Sequence, residues 1–382
     1  MAVDDNVYHE CMQLTSQFKF CPMAFRVDMY RGCDFGCRYC FANMNAFHEI
    51  GTGLSTWRQA DVADVRKKFD LALNTDKESK STIVELLRNR VPIHCGGMSD
   101  PFQKREWELG LTKELIKISK EFNYPIVFST KTDHLNKDYY DLLDPKIHAF
   151  QVSIMGWTPE YIQKWEVNTP TAQARAEFVQ LLRKDYGLWC SVRIQPIINK
   201  WECVALMLAL RDVPSYYSVE HLHIIADSWA GQTALHEHCK GSSSFTQNGG
   251  VTEFKQDVKK SNIQLLTKVA NAFNVKVGAA DNDFHYMSQS RCCCGTDTIG
   301  GEFDNYLKFN SCYLSTGKST VADLFIPKSN VRRHMNMGKG KPTVYVEDVV
   351  KQYIRDNLYL IPQEYRADIE KQLFGVAHRK LI

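Results

Sequence analysis

The 382-residue chain has no long apolar run. The longest, Val204–Leu210, is far shorter than the roughly 20 residues that a membrane-spanning helix needs. The first residues, Met1–Asn6, also lack the basic and apolar regions of a secretory signal. A net charge of +3 is too small to indicate a partner. These absences predict a cytoplasmic protein without a membrane partner.

Cysteine, by contrast, is plentiful, with 13 residues in the chain. In a reducing compartment, clustered cysteines bind metal more often than they form disulfides. An apolar content of 44% is ordinary for a globular protein, so a large core needs no disulfide support. The composition therefore favours a globular protein that uses some of its cysteines as metal ligands.

The run Arg31–Phe41 reads RGCDFGCRYCF and contains Cys33, Cys37 and Cys40. Zinc sites usually combine two pairs of ligands, and no second pair lies nearby in the sequence. Iron–sulfur clusters with four cysteine ligands transfer electrons, whereas a cluster with three keeps one iron open for a small molecule. The CxxxCxxC spacing therefore predicts a reactive iron–sulfur site.

This motif resembles the signature of the radical S-adenosylmethionine (SAM) superfamily, CxxxCxΦC, in which Φ is aromatic and is matched here by Tyr39. The resemblance implies a 4Fe–4S cluster whose open iron binds SAM, with Tyr39 beside the adenine. One-electron cleavage of SAM then gives a 5′-deoxyadenosyl radical that abstracts hydrogen from a substrate. It also implies an electron donor such as a flavodoxin or a ferredoxin. The alternative is a non-enzymatic iron–sulfur protein.

Short β-branched runs alternate with stretches of helical period from Phe25 to about Gly278, which indicates βα units and a parallel sheet. The predicted fold is α/β: a partial (β/α)6 TIM-type barrel over residues 1–285, with a cysteine-containing and helical C-terminal extension over 286–382. We predict strands at Phe25–Tyr30, Pro92–Cys95, Pro125–Ser129, Ala149–Ile154, Trp189–Pro196 and His221–Ile225, and a seventh run at Val275–Val277.

Helices are predicted where apolar residues recur at intervals of three and four. These stretches are Lys104–Phe122, Thr171–Tyr186, Trp201–Leu210 and Thr252–Phe273, with a helical tail at Val346–Phe374. The polar stretch Lys240–Gly250 is predicted to be a loop. The cysteine loop then follows the first strand, at the end of the sheet where βα loops form active sites in barrels.

Glycines follow the second predicted strand, and paired glycines let a backbone approach a ligand closely. In the radical SAM superfamily a glycine-rich segment here contacts the methionine part of SAM, so the resemblance assigns that role to Gly96 and Gly97, with Met98 beside them. The alternative is an ordinary turn in which Ser99 or Asp100 caps a helix.

Two segments, Gly97–Gln103 and Ile126–Thr132, resemble the spore photoproduct lyase-like branch more narrowly. The resemblance makes Ser129 and Lys131 candidate SAM contacts, with the lysine as a point charge for a carboxylate; a solvated lysine is the alternative. Arg193 is a further candidate because a charged residue inside an apolar strand is costly unless paired. An internal salt bridge is its rival explanation.

The chain departs from the lyase itself at two chemically important places. Gly97 and Met98 stand where the lyase has its hydrogen-donating cysteine, and Phe41 stands where it has a tyrosine that takes part in radical transfer. Phenylalanine has no phenolic hydrogen to give. Repair of thymine dimers is therefore disfavoured.

The chain contains a second group of cysteines, Cys292–Cys294 and Cys312. This group can be interpreted in three ways. They form an auxiliary iron–sulfur cluster completed by Cys190, Cys239 or His285, they include a redox or hydrogen-donor cysteine, or they are buried small hydrophobes. Ahead of them, after the last strand, lie Asp281, Asn282, Asp283 and His285. These four residues either face a substrate or form an Asx-rich turn.

Two classes of substrate follow from these features. Radical modification of a nucleic-acid component is favoured by the lyase-like resemblance and by a basic run, Arg332–Lys341, whose alternative is a solvated loop. Modification of a peptide or a small metabolite is favoured if the late cysteines hold an auxiliary cluster. In either case the expected enzyme is of lyase or transferase type.

Overall fold

The computed structural model describes residues 7–15, 23–40, 42, 57–225, 235, 237–248 and 251–305. Four of the sequence-based interpretations fall on residues outside these ranges: Phe41, Cys312, the basic run Arg332–Lys341 and the helical tail Val346–Phe374. Those interpretations stay predictions.

The described strands form one large sheet and two small ones. In chain order they are β1 (Val7–Tyr8), β2 (Met12–Leu14), β3 (Phe25–Val27), β4 (Tyr30–Arg31), β5 (Arg58–Ala60), β6 (Ile93–Cys95), β7 (Ile126–Thr130), β8 (His148–Ser153), β9 (Trp189–Ile197), β10 (Tyr216–His221), β11 (His223–Ile225), β12 (Phe245–Asn248), β13 (Val251–Phe254) and β14 (Lys276–Ala279). The large sheet has the order β14-β10-β9-β8-β7-β6-β3-β2.

All neighbours in the large sheet are parallel except β2, which pairs antiparallel with β3. The fold is thus mixed α/β around a large parallel sheet, as predicted. Within the described ranges β2 and β14 are the two edges and do not pair with each other, so no closed barrel is found.

The sixth predicted strand was misplaced. The sheet strand is β10, and His223–Ile225 instead pairs antiparallel with β13. Ser218 and Glu220 interrupt the apolar pattern of β10. Because of these polar residues, the sequence did not predict this strand, which lies between two parallel neighbours. The predicted loop Lys240–Gly250 was also wrong, because it contains β12, paired with β13.

The α-helices that the structure describes lie between the strands along the chain. They are α1 (Val62–Leu73), α2 (Thr82–Arg88), α3 (Glu106–Leu109), α4 (Leu111–Glu121), α5 (Lys137–Tyr140), α6 (Pro159–Trp165), α7 (Ala172–Lys184), α8 (Lys200–Leu210) and α9 (Gln256–Asn271). Gly110, at φ +65°, divides the predicted helix Lys104–Phe122 into α3 and α4. The helix predicted from Thr252 begins four residues later, after β13. No described helix has the length and apolarity that a membrane crossing requires.

One face of the sheet changes character along its strands. Near the start of β7 and β8 it carries Val127 and Ala149, which pack in a small apolar cluster with Cys292 and Cys294. Two residues further along β7 the same face carries Ser129, since side chains alternate along a strand. The face is therefore apolar near the strand starts and polar towards the carboxyl ends of the strands.

Candidate active site

The cysteine loop follows β4 and is held on one side by a buried glutamine. The Nε2 of Gln103 donates to the carbonyl of Gly32 at 3.1 Å, and its Oε1 accepts from the backbone of Asp34 at 2.9 Å. Gly32 and Gly36 have φ of +84° and +60°, values that favour glycine. The turn is thus fixed by a side chain from a distant segment.

The other side of the loop rests on the end of α6. The backbone of Arg38 donates to the carbonyl of Trp165 at 2.9 Å, and Asn168 donates to the carbonyl of Phe35 at 3.2 Å. Between these two bonds, Cys37 and Glu166 form an isolated β-bridge. The loop is therefore clamped from two directions while its thiols carry no disulfide.

Two thiols of the loop do not ionise readily on their own. Burial, and then the charge of Asp100, raises the pKa of Cys33 to about 12, and burial raises the pKa of Cys37 well above its ordinary value. Both also feel the charge of Cys40, so the three thiols are electrostatic neighbours. A bound cation deprotonates a coordinating thiol, and these buried groups need that help to ionise.

The donor set fits a cluster better than a single ion. Among the described residues no three His, Cys, Asp or Glu side chains converge closely enough to hold one metal ion. In an iron–sulfur cube each thiolate binds a different iron, so the three sulfurs need not converge on one point. Three free cysteines in one glycine-containing loop match a cluster with three protein ligands.

A fully buried carboxylate lies beside the loop. Glu166 is 1% exposed, and its Oε2 lies 2.6 Å from an Nη of Arg175, which also donates to the carbonyl of Ser153 at 2.6 Å. Its Oε1 accepts a hydrogen bond from the hydroxyl of Tyr39. Burial alone raises the pKa of Glu166, but Arg175 and then Lys131 outweigh it and lower the pKa. Glu166 is therefore the anionic centre of this network.

Lys131 completes the same network. Its Nζ lies 4.0 Å from Oε1 of Glu166 and 5.7 Å from the ring centroid of Tyr39. Burial lowers the pKa of Lys131, but the neighbouring Cys37 and then Glu166 raise it. Lys131 is thus a charged group at the cysteine loop rather than the solvated surface lysine of the alternative interpretation.

The glycine segment after β6 lies close to β7. At Gly96, with φ +99°, an added Cβ would lie 2.4 Å from the carbonyl oxygen of Ser129, and at Gly97 it would lie 2.4 Å from Cδ of Arg26. Gly96 therefore requires glycine on steric grounds, whereas a larger residue at Gly97 would have to displace the side chain of Arg26. Neither Ser99 nor Asp100 caps a helix, because α3 starts at Glu106, so the capping part of this alternative was wrong.

Instead, Asp100 connects the glycine segment to the end of β7. Its carboxylate accepts from the backbone of Lys131 at 2.7 Å, from the hydroxyl of Thr130 at 2.8 Å and from the backbone of Phe102 at 2.9 Å. Its backbone N–H lies close enough to the thiol of Cys33 to lower the pKa of that group. The glycine segment, the end of β7 and the cysteine loop are thus linked by one residue.

A hydrogen-bonded row crosses the polar part of the sheet face. Ser129 Oγ lies 2.7 Å from Nε2 of His94, donates to Gln151 at 3.1 Å and accepts from Arg193 at 3.2 Å. Arg193 also donates from Nε to Gln195 at 3.1 Å. Within the described ranges no carboxylate lies at ion-pair distance from Arg193, so the salt-bridge alternative is not seen. Burial, and then Arg193, lowers the pKa of His94 to about 3, which keeps this imidazole neutral.

The structure thus brings the six predicted cofactor-binding residues into two connected groups: Tyr39 with Lys131 at the cysteine loop, and Gly96, Gly97, Ser129 and Arg193 along β6 to β9. Sequence reasoning missed Glu166, His94 and Gln151. Gln151 and His94 interrupt apolar strands, which is the same signal that identified Arg193. No local signal marks Glu166, because its partners are distant in sequence.

The late cysteines lie at the other end of the sheet. Cys292 and Cys294 are buried, with their sulfurs 3.5 Å apart, and Cys292 Sγ lies 2.9 Å from a carboxylate oxygen of Asp297. Their segment packs on the first half of the strands, where Tyr216 bonds to Ser290 at 2.8 Å. The described residues give no support for a second cluster there, and burial as small hydrophobes accounts for Cys292 and Cys294.

No family model matches the chain. Uncharacterized proteins of Mycobacterium tuberculosis and Mycobacterium bovis are 27% identical over 238 residues, which is 58% of this chain. The chain spans 61% of the length of these relatives.

Two solved structures are similar to the chain at low sequence identity. Spore photoproduct lyase complexed with dinucleoside spore photoproduct is 14% identical, with a TM-score of 0.48, covering 68% of this chain and 78% of the lyase. Streptococcus suis SuiB bound to S-adenosylmethionine is 12% identical, with a TM-score of 0.38, covering 66% and 48%. The chain is thus similar to spore photoproduct lyase, which the segments Gly97–Gln103 and Ile126–Thr132 also resemble. TM-scores below 0.5 leave the functional argument to the residues of this chain.

Proposed function

We propose that this protein is a radical SAM enzyme that holds a 4Fe–4S cluster through Cys33, Cys37 and Cys40. The observation that carries the proposal is the cysteine loop itself: three free thiols, fixed from two sides by Gln103 and the end of α6. When bound, the cluster and SAM supply the chemistry, in which one electron cleaves SAM and the resulting 5′-deoxyadenosyl radical abstracts hydrogen from a substrate.

The protein's own residues position the cofactor and keep water out. Gly96 and Gly97 let the backbone approach the methionine part of SAM, and Ser129 and Arg193 bind its polar groups. Lys131 supplies positive charge beside the cysteine loop, and the ring of Tyr39 packs by the adenine. We propose that these residues lie on a partial (β/α)6 barrel over residues 1–285, while the described start of the extension, residues 286–305, packs on the sheet near its opposite end.

The test of this proposal is anaerobic reconstitution with iron and sulfide. We expect about four iron atoms per chain, as one cuboidal cluster requires. After reduction by dithionite, the protein should convert SAM to methionine and 5′-deoxyadenosine. A reconstituted protein that holds this iron but forms no 5′-deoxyadenosine would be a non-enzymatic iron–sulfur protein. About eight iron atoms per chain would instead indicate a second cluster.

The natural electron donor is proposed to be a flavodoxin or a ferredoxin, for which dithionite substitutes in that assay. The substrate is proposed to be a nucleic-acid component, with a peptide or a small metabolite as the alternative. One observation favours the alternative: two carboxyl groups, on Glu220 and Asp281, lie near the carboxyl ends of β10 and β14. Carboxylates repel phosphate. Repair of thymine dimers is not proposed, because Gly97 and Met98 provide no hydrogen-donating thiol.

Salt dependence separates the two substrate classes. If the substrate is a nucleic acid, the affinity for single-stranded DNA or RNA should fall steeply between 50 and 200 mM salt, by about 10-fold or more, as bound phosphates release counterions. Fluorescence anisotropy with a labelled oligonucleotide measures this affinity. Absence of binding at 50 mM salt would leave the peptide or metabolite class.

A further inference from the structure

Glu220 lies at the carboxyl end of β10, on the polar face of the sheet. It is half-buried and follows Ser218, which accepts a hydrogen bond from Gln195 at 2.9 Å and lies beside Arg193 in the strand register. The pairing of β10 with β9 shifts register between Val219 and His221. Such irregularities re-aim side chains and are frequent next to active sites.

The polar side chains around Glu220 bond to one another rather than to Glu220. Asp281 lies 2.7 Å from Nδ1 of His221, whose Nε2 lies 3.2 Å from the side-chain amide of Asn262. Lys259 lies 2.7 Å from Glu253 and 3.8 Å from Asp281. In the part of the chain that the structure describes, no hydrogen bond or ion pair holds the carboxyl group of Glu220.

The charges around Glu220 define what it can bind. Burial, and then the carboxylate of Asp281, raises its pKa to about 7, against the opposing effect of Arg193, His285 and Lys259. A half-buried carboxylate without a bonded partner is costly, and a charged N–H donor compensates that cost with a strong hydrogen bond. An anion would instead face two carboxyl groups.

We propose that Glu220 anchors the substrate by accepting a hydrogen bond from a cationic N–H group, an ammonium or a guanidinium, and that the enzyme therefore acts on a basic peptide or an amine-bearing metabolite. This inference rests on the proposed function, because it places the substrate at the far end of the polar row from the cysteine loop. That row runs through Ser129, Arg193 and Gln195.

Benzylamine and its uncharged isostere benzyl alcohol are suitable probes. Their affinity for the reconstituted, SAM-loaded full chain is measured by saturation-transfer NMR titration. At pH 8 we expect benzylamine to bind about 10-fold more tightly than benzyl alcohol, the range of a hydrogen bond to a charged group. The preference should weaken at pH 6, where Glu220 is largely protonated while the amine stays charged. It should disappear in Glu220→Gln and persist in Glu114→Gln, which removes an exposed carboxylate elsewhere.

Equal affinity for the two probes in the wild type, or an unchanged preference in Glu220→Gln, would overturn the inference. A thermal melt of each variant verifies folding; if Glu220→Gln does not fold, Glu220→Asp replaces it and should weaken the preference without abolishing it. SAM cleavage without substrate is measured on the same samples. If the wild type cleaves SAM but does not bind benzylamine more tightly than benzyl alcohol, only the role of Glu220 is refuted. A wild type that cannot cleave SAM refutes the proposed function, whatever the amine does.

Discussion

Cys37→Ala is expected to lose the iron–sulfur absorption and to form no detectable 5′-deoxyadenosine. Cys37 is the central thiol of the three, its side chain is buried, and the described residues of the loop contain no fourth cysteine to replace it. A cluster with two protein ligands has two exposed irons and is readily lost. Iron analysis and the SAM cleavage assay, after identical reconstitution, measure both effects.

The fold should survive this substitution, which makes the result interpretable. The contacts of Cys37 with Cys40 and Glu166 are made by its backbone, and alanine keeps them. Cys203→Ala is the matched control, since Cys203 is a fully buried cysteine in α8, outside the cysteine loop. The control should retain iron and cleavage. Normal iron content and normal cleavage in Cys37→Ala would disprove the assignment of the cluster ligands.

Short sequence patterns were sufficient to predict a residue's position where the residue type itself indicates a structural role. The cysteine spacing, the paired glycines and the charged residue inside β9 each identified residues that the structure brings to the carboxyl ends of the strands. β14 was also foreseen, because two valines after a helix, Val275 and Val277, indicate a strand. In these cases the information lies within about ten residues of sequence.

Such patterns could not predict contacts between segments that are distant in the sequence. Glu166 follows a short helix and reads as an ordinary surface residue, yet it is buried because Arg175, Tyr39 and Lys131 surround it. β10 was misread for a related reason: Glu220 suggested a surface segment, whereas the strand lies between β9 and β14. Both errors concern polar residues whose surroundings are set by segments far along the chain.

Glu166→Gln is expected to lower the free energy of unfolding by about 3–5 kcal/mol, the usual cost of removing one partner of a buried ion pair. Both Glu166 and Arg175 have side chains with 0% exposure, so Arg175 would keep its charge without a counter-ion. Tyr39 and Lys131 would lose their anionic partner as well, and SAM cleavage should fall with them. Urea unfolding at pH 7 measures the loss of stability.

The pH dependence distinguishes this ion pair from simple packing. Because the folded protein lowers the pKa of Glu166, its ionised form stabilises the fold above the ordinary glutamate pKa, and this contribution is lost as the pH falls through the lowered value. Wild type should therefore lose more stability on acidification than Glu166→Gln.

Replacing both charges, in Glu166→Leu with Arg175→Met, should recover much of the loss at pH 7, since a buried apolar pair needs no counter-ion. Glu121→Gln, in an exposed pair with Arg66, is the control that should change little. If Glu166→Gln unfolds at the wild-type urea concentration, the network does not hold the cysteine loop.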